Sequence, residues 1–161
     1  MTLRILLSTQ ETIYEKKGSP GGSLPLFLYA DFFASEFNLK VDIYDPLYNS
    51  KDYINNSNFN IVEEVNVNNY DLVINCAAYT NVDKAESHPD VAYAVNQNGV
   101  RNLVRACEIH TIRLIHISTD YIFSGNSNNS YHEEDTASPI GVYGKSKLEG
   151  ENEIIERSEE Q

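Results

Sequence analysis

Four short apolar segments place the strongest limit on how this chain can fold. They occupy residues 4–8, 40–44, 71–76 and 113–118, and stretches with helical pattern lie between several of them. Apolar runs of this length, bounded by polar residues, predict buried strands. A succession of such strands and helices predicts an α/β fold, in which a parallel, doubly wound sheet is built with right-handed crossovers.

Two stretches between the predicted strands have helix signals. Ser23 and Pro25 predict a helix start for residues 24–37. Pro89 opens a longer helix with apolar residues at helical spacing on one face. These are Ala92, Val95, Gly99, Val100, Leu103, Val104 and Cys107. Asn96 falls on that apolar stripe, either as a hydrogen-bonded core amide or as an amide that holds a neighbouring lysine.

Of the remaining stretches, two are polar and one is C-terminal. Residues 46–70 are rich in Asn and are expected to form loops and one short helix, and residues 124–138 are expected to form a loop with solvated acids. Residues 142–157 have helical pattern and predict the last helix. A chain of 161 residues can bury one core but is short for two, so residues 1–161 are predicted to form a single domain.

A glycine-containing segment follows the first predicted strand and is separated from it by the polar residues 9–17. Gly18 and Gly21 could let backbone N–H groups approach a pyrophosphate, or they could belong to a flexible surface turn. An acid at the end of the second strand, Asp42 or Asp45, lies about 20 to 25 residues further on, where an acid commonly binds the adenosine ribose. Acids at strand ends are also common without any ligand.

Tyr143 and Lys147 form the most informative pair of polar residues. Their spacing of four in a helical segment places both side chains on one face. An ammonium near a phenol favours the phenolate and lowers the Tyr pKa, which makes Tyr usable as a general acid near neutral pH. A surface Tyr/Lys pair is the plain alternative, because the chain has 11 Tyr residues.

Polar or small residues follow two of the predicted strands directly. Ser118, Thr119 and Asp120 come at the end of the fourth segment, where catalytic groups often lie. The third segment is followed by Ala77-Ala78-Tyr79-Thr80, whose small residues allow a flat ligand to lie against the backbone or allow a strand and a helix to pack closely. Both positions are therefore candidate parts of one site.

Composition excludes several functional classes. A net charge of −12 argues against a nucleic-acid or anionic-membrane surface. Cys76 and Cys107 lie in apolar pattern without metal-ligand spacing, which predicts buried free thiols, and the four His are scattered. No apolar run approaches the length of a membrane span and no signal-peptide core is present, so a cytoplasmic protein is expected.

Four blocks from residue 74 onward resemble a known family. They are INCAAYTNVDKAE (74–86), AYAVNQNGVRNL (92–103), HISTDYIFSG (116–125) and YHEED…SPIGVYGKSKLEGE (131–151). Together they resemble the dTDP-4-dehydrorhamnose reductases, extended short-chain dehydrogenase/reductases with a Rossmann-like domain that reduce a 4-keto nucleotide sugar. They are nearly as similar to the related regulatory beta subunit of methionine adenosyltransferase. The resemblance is clearest over residues 71–151.

The resemblance implies roles for individual residues. Tyr143 would protonate the ketone oxygen as hydride arrives from NADPH or NADH, Lys147 would lower the Tyr pKa and hold the nicotinamide ribose, and Thr119 would bond the reacting oxygen. Asp120 would contact the sugar. The cofactor would be lined by Ala77, Ala78, Tyr79 and Thr80.

The chain also departs from the family pattern. Residues 9–17 separate the first strand from the glycines, Ser124 replaces the usual Asp, and the lobe that binds the nucleotide sugar is expected to be missing.

The function that the resemblance implies is NAD(P)H-dependent reduction of a 4-keto-6-deoxy nucleotide sugar in dTDP-rhamnose biosynthesis. The alternatives are a non-catalytic regulatory or partner-binding module and an inactive truncated relic. An unfinished sheet edge predicts a homodimer or a complex with a protein partner.

Overall fold

The computed structural model describes residues 4–8, 40–44, 59–62 and 66–158. The helix predicted for residues 24–37 lies outside these ranges, as do Gly18, Gly21 and Asp45. The chain divides into two compact units. One unit comprises residues 1–77 and 106–116 and contains the described sheet, and the other comprises residues 78–105 and 117–161.

The first unit contains a five-stranded parallel sheet with the strand order β3-β2-β1-β4-β5. Its strands are β1 (Arg4–Ser8), β2 (Lys40–Tyr44), β3 (Phe59–Val62), β4 (Leu72–Asn75) and β5 (Arg113–His116). This order places β1, the first strand in sequence, in the middle, with the later strands added outward on both sides, as in dinucleotide-binding folds. The predicted parallel, doubly wound sheet is confirmed.

Two features of the sheet differ from the sequence-based expectation. Strand β3 lies in residues 46–70, where loops and one short helix were expected, and it pairs with β2 through the register Ile43 to Ile61. Strand β5 was expected to be buried, but Ile115 is 47% exposed. Because β5 ends the strand order, no described strand covers its outer edge.

The second unit begins with short helices. Helix α1 (Val82–Ser87) starts at Asn81, whose side-chain oxygen accepts from Lys84 N at 3.0 Å. Helix α2 (Pro89–Tyr93) follows, with Pro89 in the first turn where its missing N–H costs nothing. The core of this unit contains the buried residues Ala85, Ala92 and Tyr143.

The long helix predicted from Pro89 onward is interrupted rather than regular. After α2 the chain forms a π-helical turn, Ala94–Gly99, and then helix α3, Val100–Ile109. A π turn widens the helix by one residue and is often found at functional sites. The last helix, α4 (Val142–Ser158), agrees with the predicted bounds to within a residue.

The two cysteines are free thiols, as predicted. Cys107 is buried, and burial followed by the charge of Glu108 raises the pKa of its thiol. Cys76 is half-buried, so the expectation of full burial is correct only for Cys107.

An ion pair joins α4 to the residues that follow the π turn. The Arg101 guanidinium donates to Glu153 and holds the pKa of that carboxyl below its ordinary value of 4.5. Gln97 Nε2 donates to the same oxygen at 3.1 Å. Because the folded pKa lies below the unfolded one, the stabilisation is present above about pH 5 and is lost as the pH falls through the folded value.

Glu153→Gln is expected to reduce the dependence of the unfolding free energy on pH in this acidic range, because its amide does not titrate. Urea unfolding at about pH 6 and about pH 4 would measure the change. Glu149→Gln is the control, since it removes a carboxylate from the same helix and leaves the Arg101 pair in place. Equal acid sensitivity of the Glu153 variant and the parent chain would contradict the prediction.

Candidate active site

Tyr143 and Lys147 lie on the first turns of α4 and are both buried. Tyr143 is 8% exposed and Lys147 is 1% exposed. The Lys147 ammonium donates to the backbone oxygen of Ile117 at 2.7 Å. Burial of an ammonium is costly without such a bond, so the carbonyl helps to fix the lysine in place. Lys147 is thus held at the residue that immediately precedes Ser118 and Thr119.

Ser118, Thr119 and Asp120 begin the segment after β5. The Ser118 hydroxyl bonds to the Glu151 carboxylate on α4. The Thr119 hydroxyl accepts from Tyr121 N at 3.3 Å and so caps a short 3₁₀ turn, Asp120–Ile122. Thr119 is half-buried and Asp120 is exposed.

The 3₁₀ turn packs directly on the start of α4. The rings of Tyr121 and Tyr143 meet edge to face with centroids 5.4 Å apart. A Cβ at Gly144 would come within 2.2 Å of the Tyr121 carbonyl oxygen, so only glycine fits this approach. The tyrosine after the Ser-Thr-Asp sequence therefore supports the ring of Tyr143, a contact that the sequence alone did not indicate.

Asn96 fixes the segment that follows β4. Its Oδ1 accepts from Tyr79 N at 2.7 Å, and its Nδ2 donates to Tyr79 O at 3.1 Å and to Ser146 Oγ at 2.9 Å. Asn96 is fully buried within the π turn. Of the two interpretations of this residue, the hydrogen-bonded core amide agrees with these bonds, whereas Lys147 bonds to Ile117.

In the sheet unit, Asn75 links the ends of β4 and β5. Its Oδ1 accepts from Ala77 N at 3.0 Å, and its Nδ2 lies 2.9 Å from Nδ1 of His116. A backbone N–H can only donate, so the amide orientation is determined and Nδ2 must be the donor to His116. His116 therefore accepts at Nδ1, as the neutral ring does with its proton on Nε2.

Glu86 is a further residue that sequence reasoning missed. Its carboxylate accepts from Val142 N at 2.7 Å and so caps the first turn of α4. A carboxylate at a helix N-terminus also interacts favourably with the helix dipole. The contact spans 56 positions of sequence. A local capping pattern could not reveal it.

The other predicted site residues have varied positions. Ala78 is buried, and Ala77, Tyr79 and Thr80 are half-buried. Across the described ranges, no three His, Cys, Asp or Glu side chains lie together as a group that could hold a metal ion. None of the helices in the described part of the chain is both long and apolar enough to cross a membrane.

Comparison with known families places the larger part of the chain in one of them. Residues 45–161 match the model of the RmlD substrate binding domain. The chain belongs to this family. The predicted relationship to dTDP-4-dehydrorhamnose reductases is confirmed by a relative of that name from Mycobacterium tuberculosis, which is 52% identical over 89 residues. That alignment covers 53% of the chain and 29% of the relative.

Solved structures of dTDP-4-dehydrorhamnose reductases have the same fold. A dTDP-4-dehydrorhamnose reductase from Clostridium acetobutylicum is 31% identical, with a TM-score of 0.68, and the match covers 96% of this chain and 49% of that one. The Bacillus anthracis protein of the same name, solved in complex with NADP, is 28% identical with a TM-score of 0.69 over 97% of this chain and 50% of that one. This member of the RmlD family thus spans about half the length of the chains in these two structures.

Proposed function

We propose that the chain supplies the cofactor-binding and proton-donating part of an NAD(P)H-dependent reductase that acts on a 4-keto-6-deoxy nucleotide sugar. The observation that supports this most directly is the buried Lys147, held by the Ile117 carbonyl one helical turn after Tyr143. Burying a cation costs free energy, and a cation one helical turn from a phenol on the same helix face suits proton transfer from that phenol in a reduction.

The described residues fit a bound nicotinamide cofactor in their donor set. An ammonium, a phenol and a hydroxyl occur at Lys147, Tyr143 and Thr119, and the backbone of Tyr79 is fixed by Asn96. Ala77 and Ala78 offer small side chains beside that backbone, and Thr80 extends the same lining. When bound, the reduced cofactor supplies hydride to the ketone carbon.

Each side chain then has a separate task. Tyr143 donates the phenol proton to the ketone oxygen, and the positive charge of Lys147 stabilises the phenolate that remains. Lys147 would also hold the ribose next to the nicotinamide. Thr119 donates a hydrogen bond to the reacting oxygen, and Asp120 accepts from hydroxyl groups of the sugar. The pyrophosphate would be held near Gly18 and Gly21 and the adenosine ribose near Asp45.

A second candidate function is a regulatory or partner-binding module that retains the fold without turnover. The feature that favours it is the polar stretch 9–17, which separates strand β1 from Gly18, whereas the family pattern has its glycines directly after the first strand. Cofactor binding without reduction of any 4-keto nucleotide sugar would support this second candidate.

Lys147→Met is expected to weaken NADPH binding by about tenfold or more, because a hydrogen bond from a charged donor to the ribose is worth about 1.5–3 kcal/mol. Titration of the folded chain with NADPH, and then with NADH, followed by cofactor fluorescence, would measure the dissociation constants. Methionine retains most of the buried volume of the lysine stem.

Lys145→Met is the matched control, because Lys145 is exposed on the same helix. Its affinity for NADPH should equal that of the parent chain. Absence of saturable binding by a folded parent chain would reject the cofactor role, and equal affinity of the two variants would remove Lys147 from the site.

A further inference from the structure

A buried chain of hydrogen bonds connects the backbone at Tyr79 with the backbone at Tyr143. Asn96 bonds both backbone groups of Tyr79, at 2.7 and 3.1 Å, and donates to Ser146 Oγ at 2.9 Å. Ser146 Oγ in turn donates to Tyr143 O at 2.8 Å. Asn96 and Ser146 are both fully buried. Two segments 64 positions apart in sequence (143 − 79) are therefore joined through two side chains.

The direction of every bond in this chain is determined. Tyr79 N can only donate, which makes Asn96 Oδ1 the acceptor and leaves both Nδ2 hydrogens to donate. Ser146 Oγ accepts one of them and gives its own hydrogen to Tyr143 O. The hydroxyl at position 146 is thus used both as acceptor and as donor, and alanine would leave an Asn96 N–H without its acceptor in a buried place.

Close packing supports the same contact. Gly150 follows Ser146 by one helical turn on the same face of α4. A Cβ at Gly150 would come within 2.2 Å of the Asn96 carbonyl oxygen. Small residues at both positions let α4 approach the π turn closely enough for the Ser146 hydroxyl to reach the Asn96 amide.

We propose that Ser146 is a positioning residue that fixes the spacing between the backbone of residues 78–80 and the helix that bears Tyr143 and Lys147. This inference rests on the proposed function, because it assigns those two segments to one cofactor site. Ser146 acts through Asn96 on one side and through the Tyr143 backbone on the other. It is not proposed to contact the cofactor.

The test compares Ser146→Ala with the parent chain by amide hydrogen exchange and NADPH titration. Exchange of the Tyr79 amide should accelerate on the order of tenfold, because Asn96 loses one of the bonds that hold it. The Ala85 amide, which donates to Asn81 O at 2.9 Å in the same unit, should be unchanged. The dissociation constant for NADPH should rise severalfold. Ser87→Ala, which removes an exposed hydroxyl from α1, should change neither quantity.

Ser146→Cys provides the rescue arm, since a thiol of similar shape is a weak acceptor and a weak donor. Its Tyr79 exchange rate and NADPH affinity should lie between those of the parent and of the alanine variant, and it decides the test if the alanine variant does not fold. Unchanged Tyr79 exchange, equal acceleration at Tyr79 and Ala85, or equal effects of Cys and Ala would overturn the proposal. A parent chain that binds no NADPH would reject the proposed function, and the exchange rates would still decide whether Ser146 fixes Tyr79.

Discussion

Tyr143→Phe is expected to lower the rate of reduction of a 4-keto-6-deoxy nucleotide sugar by a factor on the order of 10² to 10⁴, the usual contribution of a positioned general acid. The substitution removes only the phenol oxygen, so the ring can keep its edge contact with Tyr121. NADPH affinity should therefore remain close to that of the parent chain. The decrease of NADPH absorbance with the sugar nucleotide would give the rate, and fluorescence titration would give the affinity.

The control for this variant is Tyr93→Phe, which removes a phenol oxygen from helix α2 of the same unit. Its rate should equal that of the parent chain. Undiminished reduction by Tyr143→Phe would exclude the phenol as the proton donor. Loss of NADPH binding in the same variant would show instead that the phenol holds the cofactor, so the two measurements separate the two roles.

Those parts of the fold that depend on local pattern could be predicted from the sequence. Strands β1 and β2 have the predicted bounds, Arg4–Ser8 and Lys40–Tyr44, because each is a mostly apolar run between polar neighbours. Strand β3 was missed because Asn60 divides its apolar residues and the surrounding stretch is rich in Asn. Its pairing with β2 provides the hydrogen bonds that its own sequence does not signal.

The π turn could not be predicted for a different reason. Apolar residues continue at nearly helical spacing from Ala92 to Cys107, so the sequence contains no break where the structure has one. Tertiary hydrogen bonds maintain the turn, because Asn96 bonds Tyr79 and Ser146, which are 17 and 50 positions away. Local propensity cannot report such partners.

In the candidate site, too, the local spacing of residues was predictable and their long-range partners were not. The spacing of Tyr143 and Lys147 placed both on one face of a helix, and both are buried there. The partners that fix them were not predictable, because the Ile117 carbonyl lies 30 positions from Lys147 and Glu86 lies 56 positions from the helix start it caps. The sequence thus identified candidate reactive groups, and the fold supplies the groups that orient them.

Gly150→Ala is expected to lower the free energy of unfolding by about 1–3 kcal/mol or more, because a Cβ at this position would meet the Asn96 carbonyl oxygen at 2.2 Å. The backbone of α4 or that of the π turn must shift to relieve this contact. At about 2–4 °C per kcal/mol for a domain of this size, the melting temperature should fall by several degrees. The same shift would move Ser146 away from Asn96, so NADPH affinity should fall as well. Thermal and urea unfolding, with a cofactor titration at a temperature where the variant is folded, would measure both effects.

Gly99→Ala is the matched control, because it makes the same chemical change where space is available. A Cβ there would lie 3.6 Å from Ala94 O, an ordinary contact. Alanine also loses less conformational entropy than glycine on folding, so this variant should be as stable as the parent or more stable by up to about 1 kcal/mol. The two substitutions are therefore expected to have opposite signs. If Gly150→Ala were as stable as Gly99→Ala, α4 could not lie as close to Asn96 as described, and the bond from Asn96 to Ser146 would lose its geometric basis.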